Sequence, residues 1–152
     1  MFLAGDGVDQ RENRIRTFLA SEPSLALILA AVNFEWTVSR AVLFLSTTGN
    51  SLLRKKMRDY YSIDKYKELW AGEVAPGGHE PLPSLVRNWS SVRKAFAARN
   101  VIVHGKGRYT EKMATPHVNA LLKGVRFLEA YCRRDCGRPL NERMPVRRNR
   151  AS

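Results

Sequence analysis

The sequence predicts an all-α protein, an up-and-down bundle of about five helices followed by a basic C-terminal tail. Three observations carry this. Apolar residues recur at every third or fourth position through several segments; capping residues, proline and glycine bound those segments; and no stretch alternates with period two long enough to make a strand. With 152 residues, 44% of them hydrophobic, the chain is sized for one domain around one core. That domain is expected over 1–137, with the tail over 138–152.

The elements follow in order. Ile15, Phe18 and Leu19 lie at helical spacing in a polar stretch from Val8 to Ala20, which Ser21-Glu22-Pro23-Ser24 interrupts. From Ser24, the positions Leu25, Ile28, Val32, Trp36, Val42 and Leu43 predict a long helix ending at Thr47-Thr48-Gly49-Asn50. Its apolar run suits a membrane span in length, but Asn33, Glu35, Thr37, Ser39 and Arg40 interrupt it, so it reads as a buried core helix. One or two short helices are expected between Ser51 and Trp70. Pro76, Gly77, Gly78, Pro81 and Pro83 then predict a loop. Leu85, Trp89, Val92, Phe96 and Val103 mark one continuous helix from Ser84 to His104, stopped by Gly105 and Gly107. A last helix is expected to start with Thr115 as N-cap and Pro116 at its first position, and to end near Gly137.

A formal net charge of +12 draws such a chain to polyanions. Seven arginines (Arg133, Arg134, Arg138, Arg143, Arg147, Arg148, Arg150) face Asp135 and Glu142 in the last twenty residues, a local +5. The run Arg54-Lys55-Lys56-Met57-Arg58 is a second basic segment. Only Cys132 and Cys136 are present, too few for a disulfide framework and without a histidine to complete a zinc site, which fits a reducing, cytoplasmic setting. The N-terminus carries no secretory pattern. Neither a cofactor, a metal nor a membrane is expected.

Chemistry concentrates in Arg99-Asn100-Val101-Ile102-Val103-His104-Gly105. Asn100 and His104 are one turn apart on a helix face. Arg99 precedes His104 by five positions, about 140° of rotation, so the two side chains converge only around a helix end or across two copies. Histidine titrates near neutrality and suits proton transfer in either direction; arginine offers a fixed fork for phosphate oxygens. The bland alternatives are a helix-terminal histidine favouring the helix dipole and a solvated surface arginine.

This segment resembles the Arg-(four to six residues)-His signature of the HEPN superfamily, in the form of arginine, a polar residue, three others and histidine, followed here by glycine. The early helix carrying Phe34-Glu35 is also similar to that of several HEPN groups. The resemblance covers about Ser24 to Arg134. It implies a metal-independent endoribonuclease, a toxin or antiphage effector, that cuts RNA by 2′-hydroxyl attack at a composite site between two subunits. Arg99, Asn100 and His104 would be its catalytic residues. One motif supplies one histidine, which gives a chemical reason for a homodimer. Glu35, costly if buried unpaired, is expected to orient Arg99 or to pair with Arg40 or a lysine. Arg93, Lys94, Lys106 and Arg108 are expected to hold RNA, with Tyr109, Tyr60 and Tyr61 as stacking candidates. His79 and His117 receive no role. An acidic antitoxin or a nucleotidyltransferase is the implied protein partner. The alternatives are an inactive HEPN module that binds RNA, nucleotide or a partner protein, and a basic helical scaffold for an acidic partner.

Overall fold

A computed structural model describes residues 5–60, 62–144 and 147. Among these, the chain forms seven α-helices and no strand: α1 (Val8–Thr17), α2 (Pro23–Leu45), α3 (Asn50–Met57), α4 (Ile63–Glu73), α5 (Leu82–Leu85), α6 (Trp89–Val103) and α7 (Glu111–Cys136), with a 3₁₀ turn at Ala75–Gly77. The protein is an all-α helical bundle.

The long helices alternate in direction. Arg11 meets Glu129 and Arg16 meets Asn119, so α1 runs against α7. Ser24 meets Tyr109 while Phe34 packs at Gly124, so α2 runs with α7. The residues flanking the start of α6 reach the middle of α7, through Asn88 to Ala120 and Val92 at Gly124, whereas Val101 lies against Gly107 just before α7 begins. Helices α3 to α5 fill the connection between α2 and α6. Phe34 and Phe96 meet edge to face at the centre, their centroids 5.8 Å apart. Trp70 of α4 is fully buried, its indole N–H donating to the Glu80 carbonyl at 2.8 Å.

Helix α2 is long and apolar enough to cross a membrane by length and composition, yet more than half of its most apolar stretch is buried in the bundle. Its polar residues explain the packing. Asn33 accepts from Nε of Arg11 at 2.8 Å, and the fully buried Arg11 also donates to Glu129 at 2.6 Å and to the Asp6 carbonyl, with its guanidinium 4.5 Å from the Trp36 ring. An ion pair this enclosed is worth little net, but losing one partner strands a buried charge at a cost of roughly 3–5 kcal/mol.

Three boundaries differ from the sequence expectation. The helix expected over 84–104 breaks at 86–88, because Val86 is fully buried in a non-helical conformation (φ −85°, ψ 87°) and the Asn88 amide donates to α7. The last helix starts at Glu111 instead of Pro116. Thr110 is its N-cap, accepting from the Met113 N–H, and Pro116 sits inside the helix, where its missing N–H releases the Lys112 carbonyl. The expected tail also begins inside the packed chain. Leu140 is fully buried, its N–H faces Glu129, and Arg40 donates to the carbonyls of Leu140 and Glu142. Arg148 and Arg150 lie outside the described residues.

Candidate functional site

Helix α6 ends in a glycine-terminated turn. The Gly105 N–H bonds the Ile102 carbonyl at 3.0 Å and the Lys106 N–H bonds the Val101 carbonyl at 2.9 Å, a Schellman arrangement that requires the left-handed φ of +66° at Gly105. This fixes His104 as the C-cap, its own N–H bonded to the Asn100 carbonyl at 3.0 Å. Asn100 and His104 are both exposed, and among the described residues neither side chain makes a hydrogen bond. The backbone is rigidly capped; the chemical groups are open to a ligand.

Arg99, on the preceding turn, is held. Its Nη2 donates to Glu35 Oε1 of α2 at 2.9 Å, and its guanidinium lies 5.3 Å from the Phe96 ring. The side chains of Arg99 and Glu35 are 21% and 23% exposed, so the pair sits at the rim of the core with part of each group in solvent. Of the partners expected for Glu35, Arg99 is the one found; Arg40 stacks on Trp36 and Phe44 instead. Burial pushes the Glu35 carboxyl above its ordinary range more strongly than Arg99 pulls it down. Arg99 Nε is buried without a hydrogen-bond partner, which costs roughly 1–3 kcal/mol.

Tyr66 of α4 is a neighbour of this pair that the sequence alone did not place. It is half-buried, and its phenol is pushed up by burial and then by the Glu35 charge, against a lowering by Ser39 and Arg99. Ser39 was one turn from Glu35 in the sequence, but nothing there placed Tyr66 beside it.

The residues expected to hold RNA divide. Lys94, Lys106 and Arg108 are exposed. Arg93 is exposed and paired with Asp64 of α4 at 3.5 Å. Tyr109 is half-buried and packed on the core, edge-on to His117 with centroids 5.8 Å apart, and its backbone N–H donates to Ser24 Oγ. Tyr60 is likewise packed against the core, and Tyr61 lies outside the described residues. Of the histidines without an expected role, His79 bonds the Tyr131 hydroxyl at 2.7 Å, and burial pushes the His117 ring below its ordinary value. Among the described residues no cluster of three or more His, Cys, Asp or Glu is arranged to hold a metal ion.

Compared with protein-family models, curated protein sequences and solved structures, the chain matches none. The helix end places an imidazole, an amide and a guanidinium within two turns of backbone.

Proposed function

We propose that this protein is a metal-independent endoribonuclease of HEPN type, acting in the cytoplasm as a toxin or antiphage effector. The observation that supports it best is the division of labour at the end of α6: Arg99 is tethered by Glu35, while His104 is capped in backbone and free in side chain. In the proposed reaction the ribose 2′-hydroxyl loses its proton to a histidine as its oxygen attacks phosphorus. The bond to the 5′-oxygen breaks, and that oxygen takes a proton from the second acid. Arg99 neutralises charge on the phosphorane, and Asn100 orients the phosphate. Because each chain brings one His104, the acid and base come from two copies of the motif in a homodimer.

The test is cleavage of total RNA by purified protein in EDTA, with product ends identified. Wild type is expected to leave 2′,3′-cyclic phosphates. His104→Ala is expected to stop cleavage with thermal stability unchanged, since the side chain is exposed; Arg99→Ala is expected to stop cleavage and weaken binding. Equal cutting by all three proteins, or inhibition by the chelator, overturns the mechanism. RNA binding without cleavage by the wild type would favour the inactive binding module.

A further inference from the structure

The two basic runs of the sequence lie far apart in the chain and meet in the fold. The Asn50 N–H at the start of α3 bonds the Arg147 carbonyl at 3.2 Å. Arg147 in turn donates from its guanidinium to the Leu43 and Phe44 carbonyls, capping the last turn of α2. Arg40 reaches the Leu140 and Glu142 carbonyls from α2, and burial, then nearby Arg54 of α3, push its pKa down. Arg138 and Arg147 flank an open concavity with Leu43, Phe44 and Met144. Arg54, Arg138 and Arg143 are exposed; the acids in the same segments are Asp59, Asp135 and Glu142.

This surface sits at the C-terminal end of α2. His104 sits at the other end of the bundle, where α6 terminates beside the start of α7. We infer that α3, the end of α2, the chain from Arg138 to Met144 and Arg147 form a second phosphate-backbone surface for single-stranded nucleic acid, remote from the Arg99–His104 segment. It takes RNA as its natural ligand on the strength of the proposed ribonuclease reading.

Charge type and topography both favour a nucleic acid strand. The cations are arginines, whose planar forks match phosphate oxygens and stack on bases. Arg40, its guanidinium bonded to the Leu140 and Glu142 carbonyls and lying 5.8 Å from the Trp36 ring and 5.4 Å from the Phe44 ring, holds the tail on α2, so the exposed Arg54, Arg138 and Arg143 are the cations left open to phosphates. An anionic membrane would need an apolar face to insert. Leu53 of α3 is buried and Met57 packs on the core, leaving Leu52 as the exposed large apolar residue of that helix.

The test uses the full chain with a fluorescent 20-mer of oligo(dT), which lacks the 2′-hydroxyl and cannot be cut, titrated at several salt concentrations. The variant Arg54→Gln/Arg138→Gln/Arg143→Gln is compared with an equal-charge control, Lys65→Gln/Lys67→Gln/Lys123→Gln. At about 0.7 per phosphate contact on single strands, losing three contacts flattens the logarithmic salt slope by about 2 and weakens binding at least tenfold at roughly 0.1 M salt. The control should move neither quantity as far. The corresponding triple lysine variant should keep the slope. An unchanged slope in the glutamine variant, or an equal change in the control, overturns the inference, as does loss of binding to phosphatidylserine vesicles with oligonucleotide binding intact. The two proposals fail separately. A wild type that cuts no RNA but shows the slope change refutes the nuclease and keeps this surface; a nuclease whose slope is unmoved does the reverse.

Discussion

Gly124, in the middle of α7, offers a sharp test of the packing. A glycine inside a helix costs about 1 kcal/mol relative to alanine, so propensity alone predicts that Gly124→Ala stabilises the protein. The structure predicts the opposite. A Cβ at this position would stand 2.8 Å from Cε2 of Phe34 and 3.1 Å from Cγ2 of Val92, inside the contact limit for both. Neither neighbour is free to yield: Phe34 and Val92 are fully buried, and Phe34 is braced edge to face by Phe96. Overpacking of this kind costs roughly 1–3 kcal/mol, with the clash here at the upper end because three helices meet at the point. Set against the propensity gain, the net loss is about 1–2 kcal/mol, or a Tm lower by roughly 2–8 °C for a chain of this length. Urea unfolding followed by circular dichroism measures it. A Gly124→Ala protein as stable as wild type or more so would mean that α2, α6 and α7 do not approach as described.

Two further expectations follow from charged groups. Glu73 accepts from Lys56 at 2.7 Å and Thr48 at 2.8 Å, with Ser46 at 3.4 Å; burial pushes its carboxyl up, but these bonds outweigh it and the net shift is downward. A carboxylate lowered on folding adds stability above its ordinary value of 4.5 and loses it as the pH falls through the folded value. Glu73→Gln should therefore cost about 1–2 kcal/mol at neutral pH, the half-exposed lysine being discounted for screening, and the gap should close in acid; a gap constant with pH would refute it. Glu35 has the opposite sign. Its carboxyl is raised on folding, so its contribution is greatest below the ordinary carboxylate range and declines as the pH rises through the folded value. Glu35→Gln should thus leave neutral-pH stability unchanged or slightly higher, while RNA cleavage falls at least tenfold; a clear loss of stability would make the pair structural.

How far the sequence led is visible element by element. The strict apolar spacing of α2 located that helix to within two residues, and Gly105 was legible as a stop because few other residues adopt its left-handed conformation. The break at 86–88 was not legible. The segment carries helical spacing throughout, and what bends it is a hydrogen bond from Asn88 to a carbonyl more than thirty residues away. Thr115-Pro116 imitated a helix start, while the working cap, Thr110, stood beside a less conspicuous Glu111. The tail misled in the same way. Its arginines suggest a solvated segment, yet Leu140, one apolar residue among them, is drawn fully into the core, and Arg40 and Glu129 satisfy the surrounding backbone. At the candidate site, Arg99, Asn100 and His104 could be read from one short stretch. Tyr66 could not, since its place depends on how α4 folds back on α2.

The Glu35–Arg99 pair links these points. An ion pair kept for stability would be expected to hold its carboxyl below the ordinary range, as Glu73 is held by Lys56 and two hydroxyls. Glu35 does the reverse: desolvation exceeds the attraction of Arg99, and Arg99 itself carries a buried, unbonded Nε. Arg11 and Glu129, both buried, tie α1, α2 and α7 together elsewhere, whereas Glu35 and Arg99 meet at the partly exposed rim of the α2–α6 contact. What the costly pair does achieve is to hold one guanidinium at the rim of the core, five residues before an exposed histidine. Desolvation and an unsatisfied donor borne at this pair are what the proposed anionic RNA ligand would exploit. That is why Glu35→Gln, which removes the charge while keeping the side chain's size, should separate stability from activity more cleanly than any substitution at Arg99.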